Sequence, residues 1–461
     1  MNLKNWYRKH RAVGIIGLIL ITFSIIVLNR IFSVEVETQG KISGNEASLL
    51  VTQQQRDSTG RTFADWCREK TSLTPETKYT VELILYDLKT TDCDTANRKL
   101  LISTSLALYG DNISDIRPIA SLSHLEQLTL SYSQISDLKP LQSLTNLISL
   151  DVSHTPVRNI QPLAYLTKLI GLNLNNTQIS DLKPLSSLTN LINLDLNHTQ
   201  ISDINPLASL TNLTGLNLSE NKISDIKSLA SLTELTDLNL IDNQISDIKP
   251  LTSLTKLTAF NLMLQKNKIS DLKPLAFFTQ MREIDLSSNQ ISQIPPLESL
   301  KELVSINLSN NQISGPQSLD SLPKLASIDL SSNQLSDLQS LQSLTNLRNL
   351  KLENNQITDI KPLASLTNLT GLSIEHNQIT DIKPLSSLTN LKGLNLNFNQ
   401  ITDIKPLASL TKLTHLELFG NKISHVKPLE SLTNLKELRL GHNPISPKIC
   451  PVQIGCGCIW W

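Results

Sequence analysis

The sequence predicts an α/β solenoid, a stack of coils in which each coil adds one short strand to a parallel β-sheet. A 22-residue unit recurs along most of the chain, for example LKLENNQITDIKPLASLTNLTG from Leu350 to Gly371. Leu350 and Leu352 are two residues apart, which places both side chains on one face of a strand. A single unit cannot bury its own leucines, so it must stack on its neighbours. This fixed period and leucine frame are typical of leucine-rich repeats.

The copies can be counted at the position of Asn355. This column has sixteen members spaced by 22 residues, except for one interval of 24 residues. We therefore predict about sixteen repeats over residues 106–446, with a parallel sheet on the concave face and short 3-10 or turn segments on the convex face. The first five members of the column are Asp111, Ser133, Thr155, Thr177 and Thr199. The other eleven are Asn221, Asn243, Asn267, Asn289, Asn311, Asn333, Asn355, Asn377, Asn399, Asn421 and Asn443.

A buried asparagine explains why this column is so regular. Its amide can hydrogen-bond to backbone groups of its own coil and of the adjacent coil, which would otherwise be buried without a partner at a considerable cost in free energy. Threonine can form only some of these bonds. We therefore expect the N-terminal third of the array to be held less rigidly than the rest.

The N-terminus has the pattern of a membrane anchor. Residues 1–11 carry four basic side chains, and residues 12–28 contain no charge. A helix of 17 residues reaches roughly 25 Å, slightly less than the ~30 Å hydrocarbon core of a bilayer. Because basic residues favour the cytoplasmic side, we predict a cytoplasmic segment 1–11, a transmembrane signal anchor 12–28 and an extracytoplasmic remainder, periplasmic or at the cell surface. The alternatives are a cleaved signal peptide, which gives a secreted protein, and a buried soluble helix.

A linker and a helical cap are predicted between the anchor and the repeats. Residues 29–61 are polar and rich in Gln, Ser, Thr and Gly, as linkers are, and residues 62–105 have helical spacing and helix-start signals such as Thr74-Pro75. Cys67 and Cys93 fall on two of the predicted helices. Outside the cytoplasm a structural disulfide between them is the natural interpretation. Two reduced core cysteines or a two-cysteine metal site are the alternatives.

A column of aspartates lies four residues after the asparagine column. Its members are Asp115, Asp137, Asp181, Asp203, Asp225, Asp247, Asp271, Asp337, Asp359, Asp381 and Asp403. A ladder of metal ligands is one interpretation, but one carboxylate per coil does not supply the about six to eight oxygens that calcium takes. We therefore expect each Asp to accept backbone N–H bonds in its turn.

Two irregular segments are predicted. The 24-residue interval suggests a two-residue insertion just after the strand, around residues 263–266, either a tolerated loop or a contact point in which Met263 and Leu264 are partly exposed. Residues 447–461 form a tail with Cys450, Cys456 and Cys458. An end cap or an oxidised tail is favoured over a metal site, because three cysteines without a fourth ligand are a weak metal signal.

The outward positions change in composition toward the C-terminal end. Elsewhere they are mostly small and polar. Phe398 and Phe419 are one coil apart and offset by one position, so they can lie side by side on the concave face. Exposed aromatic residues near arginine are common interface anchors, although such residues also vary freely on a solvated face. The predicted partner-binding residues are Glu375, His376, Phe398, Glu417, Phe419, Arg439 and His442.

The overall composition excludes several function classes. Basic and acidic residues balance at 41 each, so a nucleic-acid-binding surface is not indicated. Motifs for nucleotides, zinc peptidases and serine hydrolases do not occur, and the eight histidines show no catalytic arrangement. We expect a protein that is not an enzyme, with no cofactor, metal or small-molecule substrate, and with another protein as its ligand. An enzyme whose site lies on the solenoid surface is the contrasting hypothesis.

The motifs resemble those of bacterial internalin-type leucine-rich repeats. The resemblance lies in the LxxLxLxxNxI frame and the following S/T-D-I-x-P-L, as in Leu369 to Leu385. The cap sequence TFADWCREK…TPETKYTVELILYDLKTTDCDTA looks like that of cyanobacterial membrane-anchored leucine-rich repeat proteins. Internalins imply adhesion through the concave face, and hence a binding module displayed outside the cytoplasmic membrane. The 22-residue unit is also similar to that of phosphatase-regulating cytosolic proteins, which imply a cytosolic regulatory scaffold instead.

Overall fold

The structure is a computed structural model that describes residues 56–57, 59–257, 262–447, 449–452 and 457–459. The predicted anchor at 12–28 and most of the predicted linker lie outside these residues. Within the described ranges, no helix has the length and apolar character needed to cross a membrane. The membrane anchor therefore stays a prediction.

Three α-helices form the N-terminal cap: α1 (Phe63–Arg68), α2 (Pro75–Asp87) and α3 (Cys93–Leu101). Each begins at a residue whose side chain accepts a hydrogen bond from a backbone N–H in the first turn, namely Thr62, Thr74 and Asp92. At α1, Asp65 also bonds back to the Thr62 N–H, which completes a capping box. These short polar side chains fix where each helix starts.

The cap is closed by a disulfide and packs on the first coil. Cys67 and Cys93 are bonded to each other, as the sequence predicted. Phe63, Ile84 and Leu100 are almost fully buried in a core that continues into the leucines of the repeats. The Thr80 hydroxyl donates to the Asp115 carbonyl at 2.7 Å, which ties α2 to the first coil. The cap thus shields apolar surface at the end of the array.

Sixteen short strands come from the repeats and one from the tail, and every strand pair is parallel. Along each strand a buried leucine or isoleucine alternates with outward residues, as in Leu350 between Asn349 and Lys351. The strands are β1 (Ser105–Ala107), β2 (Gln127–Thr129), β3 (Ser149–Asp151), β4 (Gly171–Asn173), β5 (Asn193–Asp195), β6 (Gly215–Asn217), β7 (Asp237–Asn239), β8 (Leu262–Met263), β9 (Glu283–Asp285), β10 (Ser305–Asn307), β11 (Ser327–Asp329), β12 (Asn349–Lys351), β13 (Gly371–Ser373), β14 (Gly393–Asn395), β15 (His415–Glu417), β16 (Glu437–Arg439) and β17 (Gly457–Ile459).

Short 3-10 helices form the opposite side of most coils, often with a proline at the second position, as in Lys361–Ser365. In the described residues they span Arg117–Ile119, Lys139–Ser143, Gln161–Tyr165, Lys183–Ser187, Asn205–Ser209, Lys227–Ser231, Lys249–Ser253, Lys273–Phe277, Leu319–Ser321, Gln339–Ser343, Lys361–Ser365, Lys383–Ser387, Lys405–Ser409 and Lys427–Ser431. The prediction of a parallel solenoid with short 3-10 turns is confirmed.

The asparagine column joins neighbouring coils through the backbone. Asn311 donates from Nδ2 to the carbonyls of Leu308 and Ser309 in its own coil and of Leu286 in the preceding coil, at 3.0 to 3.2 Å. Its Oδ1 accepts the Ile291 N–H at 3.0 Å. All eleven asparagines are arranged in this way, and ten of them are buried. In contrast, the Thr155 and Thr177 hydroxyls each bond to one carbonyl of their own coil.

The aspartate column caps the turns. In all eleven aspartates Oδ1 accepts the backbone N–H two residues later, as between Asp359 and Lys361 at 2.9 Å. These bonds satisfy donors at the start of each 3-10 helix. The capping interpretation thus explains the column without a bound ion.

The long coil differs from the prediction. Leu238 pairs with Leu262 and Asn239 pairs with Met263, so the two extra residues precede the strand instead of following it. Leu264 is fully buried, which contradicts the exposure expected of a contact point, and Met263 is half-buried. The reason is that Leu262 and Leu264 keep their usual spacing to Asn267. Residues 258–261, directly before the strand, lie outside the described residues.

The sheet ladder divides at this coil into strands β1–β8 and β9–β17. The coils stay connected on the turn side, because Asn289 Nδ2 donates to the Leu264 carbonyl at 3.1 Å. At the C-terminal end, β17 pairs with β16, and a disulfide joins Cys450 to Cys458. The tail is therefore oxidised and extends the sheet by one strand; Cys456 lies outside the described residues.

Candidate functional site

A row of left-handed residues runs along one edge of the sheet. The residue directly before the asparagine column has a positive φ in every coil from Tyr132 to His442, at 54° and 53° for these two. This backbone turn follows each strand and brings equivalent side chains of neighbouring coils together. Tyr132 and His154 stack with ring centroids 4.1 Å apart, and His198 Nδ1 lies 3.1 Å from Glu220 Oε2. Side chains in this row therefore form a ladder along the solenoid.

Four aromatic side chains at the C-terminal end of this edge form a continuous group, which we call the aromatic strip: His376, Phe398, Phe419 and His442. The His376 and Phe398 rings stack at 4.2 Å with an angle of 14° between their planes. Phe398 meets Phe419 edge to face at 5.2 Å, and Phe419 lies 4.6 Å from His442. Phe398 is 42% exposed, and both histidines are exposed. The sequence thus placed Phe398 beside Phe419, and the structure shows them in contact.

Gly420 makes room for this arrangement. It occupies the left-handed row between Phe398 and His442, with φ at +67°. A Cβ atom at this position would lie 2.8 Å from Phe398 Cδ1, too close for real atoms. The Phe398 ring therefore occupies the space that a side chain at Gly420 would take. Sequence reasoning missed Gly420, although a glycine in a row of larger residues directly after an aromatic residue is a readable signal.

A polar network lies beside the aromatic strip. Asn397 is buried and donates from Nδ2 to Glu417 Oε2 at 2.7 Å, while its Oδ1 accepts the Phe419 N–H at 2.8 Å. Glu375 Oε2 accepts from Asn395 Nδ2 at 2.8 Å. Asn397, which sequence reasoning also missed, therefore holds the Phe419 backbone and the Glu417 carboxylate in fixed positions.

Arg439 completes the network at the last repeat strand. Its Nε donates to Glu437 Oε1 at 2.7 Å, and its Nη1 lies 3.8 Å from Glu417 Oε2. The hydrogen bond to Glu437, together with the charges of Glu417 and Glu437, raises the pKa of Arg439. The guanidinium is thus permanently charged and positioned between two carboxylates.

The predicted partner-binding residues occupy two kinds of position. Glu417 and Arg439 lie in strands β15 and β16, and their side chains point outward from the sheet. The aromatic strip and Glu375 lie in the turns just after the strands, at the carboxyl edge of the sheet. The seven residues are nevertheless contiguous over four successive coils. Among the described residues, no group of three or more His, Cys, Asp or Glu side chains could hold a metal ion.

Comparison with known proteins gives a consistent result. A family model described as leucine-rich repeats in two copies matches residues 123–165, 167–209, 189–231, 211–253, 279–324, 301–343, 323–365 and 367–409, more than half of the chain in total. A second model, described as a leucine-rich repeat, matches residues 431–450. The search of curated proteins found no match.

Solved structures with a similar fold include several bacterial proteins. An internalin from Listeria monocytogenes is 31% identical, with 80% of this chain and 96% of that chain covered and a TM-score of 0.50. A leucine-rich repeat protein from Leptospira interrogans is 27% identical over 77% of this chain and 100% of that chain, with a TM-score of 0.65. The functional domain of the internalin InlJ from Listeria monocytogenes is 21% identical over 82% and 80%, with a TM-score of 0.55, and shows likeness of fold alone.

Proposed function

The chain belongs to the leucine-rich repeat family in its internalin-like form, and on that premise we propose that it binds a protein partner through the aromatic strip and its polar network. Members of this family are non-enzymatic protein-interaction scaffolds, and the chain is not an enzyme. The observation that carries the proposal is the contact series from His376 to His442 over four coils, in which three of the four rings are exposed and Phe419 is half-buried. Aromatic and arginine side chains are the residues that most often dominate binding energy in protein interfaces.

The strip is suited to binding because its side chains are already ordered. The His376 and Phe398 rings cover each other's faces, and Asn397 fixes the Phe419 backbone. A partner therefore does not have to immobilise free rotamers, a cost of about 0.5 to 1.5 kcal/mol for each rotamer-rich side chain. Glu375 and Glu417 give the surface an acidic rim, which favours partners with Lys or Arg near an apolar group.

We further propose that the repeats are displayed outside the cytoplasmic membrane. The disulfides Cys67–Cys93 and Cys450–Cys458 support this, because disulfides persist in oxidising compartments and are rare in the cytosol. The predicted anchor at 12–28 would hold the protein at the membrane, and cleavage there would give a secreted form. The cytosolic regulatory scaffold is the alternative. Protease added to intact cells or spheroplasts should digest the repeats; full protection would contradict the external location.

The binding surface is tested with a double variant and a matched control. A protein partner is first captured with the parent protein. The double variant Phe398→Ala with Phe419→Ala should then bind this partner more than about tenfold more weakly, because two central anchors are lost. Tyr132→Ala with His154→Ala removes a comparable aromatic stack from the same row at the other end, and should leave affinity unchanged. Equal affinity of the parent and the Phe398/Phe419 variant would show that the partner binds elsewhere.

A further inference from the structure

The coils without asparagine leave backbone donors unpaired. From Ile201 onward, the N–H of the isoleucine or leucine two residues after the column donates to the Asn Oδ1 of the next coil, as from Ile201 to Asn221 at 3.1 Å. Thr177 and Thr199 have no such amide oxygen. In the described structure, the N–H groups of Val157 and Ile179 consequently have no hydrogen-bond partner. Unpaired buried N–H groups are rare in folded proteins.

Gln200 adds a second irregularity at the same place. In neighbouring coils, the residue directly after the asparagine column donates its N–H to a backbone carbonyl of the preceding coil. Gln178 donates to the Val157 carbonyl at 2.8 Å, and Lys222 donates to the Ile201 carbonyl at 2.9 Å. Gln200 instead has φ at +67°, which is a left-handed conformation. In the described coils, no other residue directly after the asparagine column has a positive φ. The Gln200 N–H does not bond to the preceding coil. Ile179, which is 1% exposed, therefore has both its N–H and its carbonyl unpaired.

Contacts with the next coil explain the left-handed conformation of Gln200. Asn221 is the first asparagine of the column, and its Oδ1 accepts from the Thr199 N–H at 3.2 Å, the Thr199 hydroxyl at 3.1 Å and the Ile201 N–H. Thr177 has no asparagine on the next coil, and Gln178 keeps the usual conformation. The junction between the threonine and asparagine sections thus holds the Gln200 peptide in an unusual orientation.

These groups border an open groove of about 420 Å³. The groove is lined by Arg158, Asn176, Thr177, Gln178, Ile179, Ser180, His198, Thr199 and Gln200. No carboxylate is among them. Arg158 stands where the following coils have Ser180 and Ser202, and Asn159 replaces the aspartate of the turn, so this coil gains a cation and loses an acid. In the described structure the exposed Arg158 guanidinium has no hydrogen bond or ion pair.

We infer that this groove binds an oxyanion, a carboxylate or a phosphate group. Its donors are the guanidinium of Arg158 and the unpaired N–H groups of Ile179 and Gln200. Hydrogen bonds from a guanidinium to an oxyanion are short and strong, and its fork matches two oxygens at once. An anion oxygen at the Ile179 N–H would take the place that Asn Oδ1 has in the later coils. The groove lies eight or more coils from the aromatic strip, so this inference is independent of the proposed protein-binding surface.

The Thr199→Asn variant tests the anion site without removing a charge. Thr199→Asn would supply an internal amide oxygen to the Ile179 N–H, as Asn221 does for Ile201, and so should abolish anion binding while preserving or raising stability. Arg158→Gln removes the charge while keeping a polar side chain. Arg348→Gln is the matched control, because Arg348 is also exposed and unpaired but lies outside the groove.

The experiment titrates the full-length protein and the three variants with inorganic phosphate or acetate, in chloride buffer at matched ionic strength, by calorimetry. The parent and Arg348→Gln should bind one of the two anions, and Arg158→Gln and Thr199→Asn should each bind about tenfold more weakly or not at all. If phosphate binds more tightly, the natural ligand carries a phosphoryl group; if acetate binds more tightly, it carries a carboxylate group. Absence of binding in the parent, or equal binding in all four proteins, would overturn the inference.

Discussion

The backbone N–H of Ile291 donates to Asn311 Oδ1 in the next coil at 3.0 Å. Both groups are buried. Removing the Asn311 amide therefore leaves the Ile291 N–H and up to three backbone carbonyls without this hydrogen-bond partner. We expect Asn311→Ala to lower the free energy of unfolding by about 1 to 3 kcal/mol. Chemical denaturation measures the difference, and Gln312→Ala, an exposed neighbour, is the control. Equal midpoints for the parent and Asn311→Ala would mean that the asparagine column does not stabilise the array.

The opposite substitution should be tolerated in the threonine section. Thr177→Asn offers an amide oxygen to the unpaired Val157 N–H and should be neutral or stabilising, by up to about 1 kcal/mol, the net value of one hydrogen bond. The same denaturation experiment reports the change. A clear loss of stability would show that the pocket at Thr177 is too small for the larger side chain.

A methyl group at Gly420 should disturb the aromatic strip. Gly420→Ala places Cβ 2.8 Å from Phe398 Cδ1 and forces a non-glycine residue into a left-handed conformation, which costs roughly 1 to 2 kcal/mol. We expect lower stability together with a displaced Phe398 ring and weaker partner binding. NMR contacts between the rings of Phe398 and Phe419 provide the direct measurement. Gly393→Ala, where an added Cβ meets no atom within 4 Å, is the control; unchanged ring contacts in Gly420→Ala would contradict the steric role.

The junction between the cap and the first coil should be sensitive to acid. Burial raises the pKa of the Asp115 carboxyl, but hydrogen bonds from Arg117 and Thr77 outweigh it, so that the pKa is lowered. A lowered pKa means that the stabilisation is present above the unfolded-state value of about 3.9 and is lost as the pH falls through the folded-state value. We expect the cap to loosen below about pH 4. The rate of amide hydrogen exchange in α2, measured as the pH is lowered, reports this loosening. The Asp115→Asn variant should be less stable than the parent at neutral pH, and its stability should lose most of this pH dependence.

The repeat columns were predictable because a strict 22-residue period fixes which residues stack. The contact between Phe398 and Phe419 followed from their positions in adjacent coils. The insertion was misplaced because strand and turn are both short, although the spacing of Leu262 and Leu264 to Asn267 locates it before the strand. The sequence TQIS occurs at both Thr177 and Thr199, yet Gln178 and Gln200 adopt different conformations. That difference depends on Asn221 in the next coil, so no local pattern could reveal it.

The tail strand β17 also affects how separate molecules behave toward one another. Strand β16 would otherwise present a row of free N–H and carbonyl groups, a template on which a strand of another chain can add. Pairing between Leu438 and Cys458, closed by the disulfide to Cys450, occupies those groups with the protein's own chain. We therefore expect the tail strand, held by this disulfide in an oxidising environment, to keep strands of other molecules from adding at this end of the sheet, a role distinct from any contribution of the disulfide to folding.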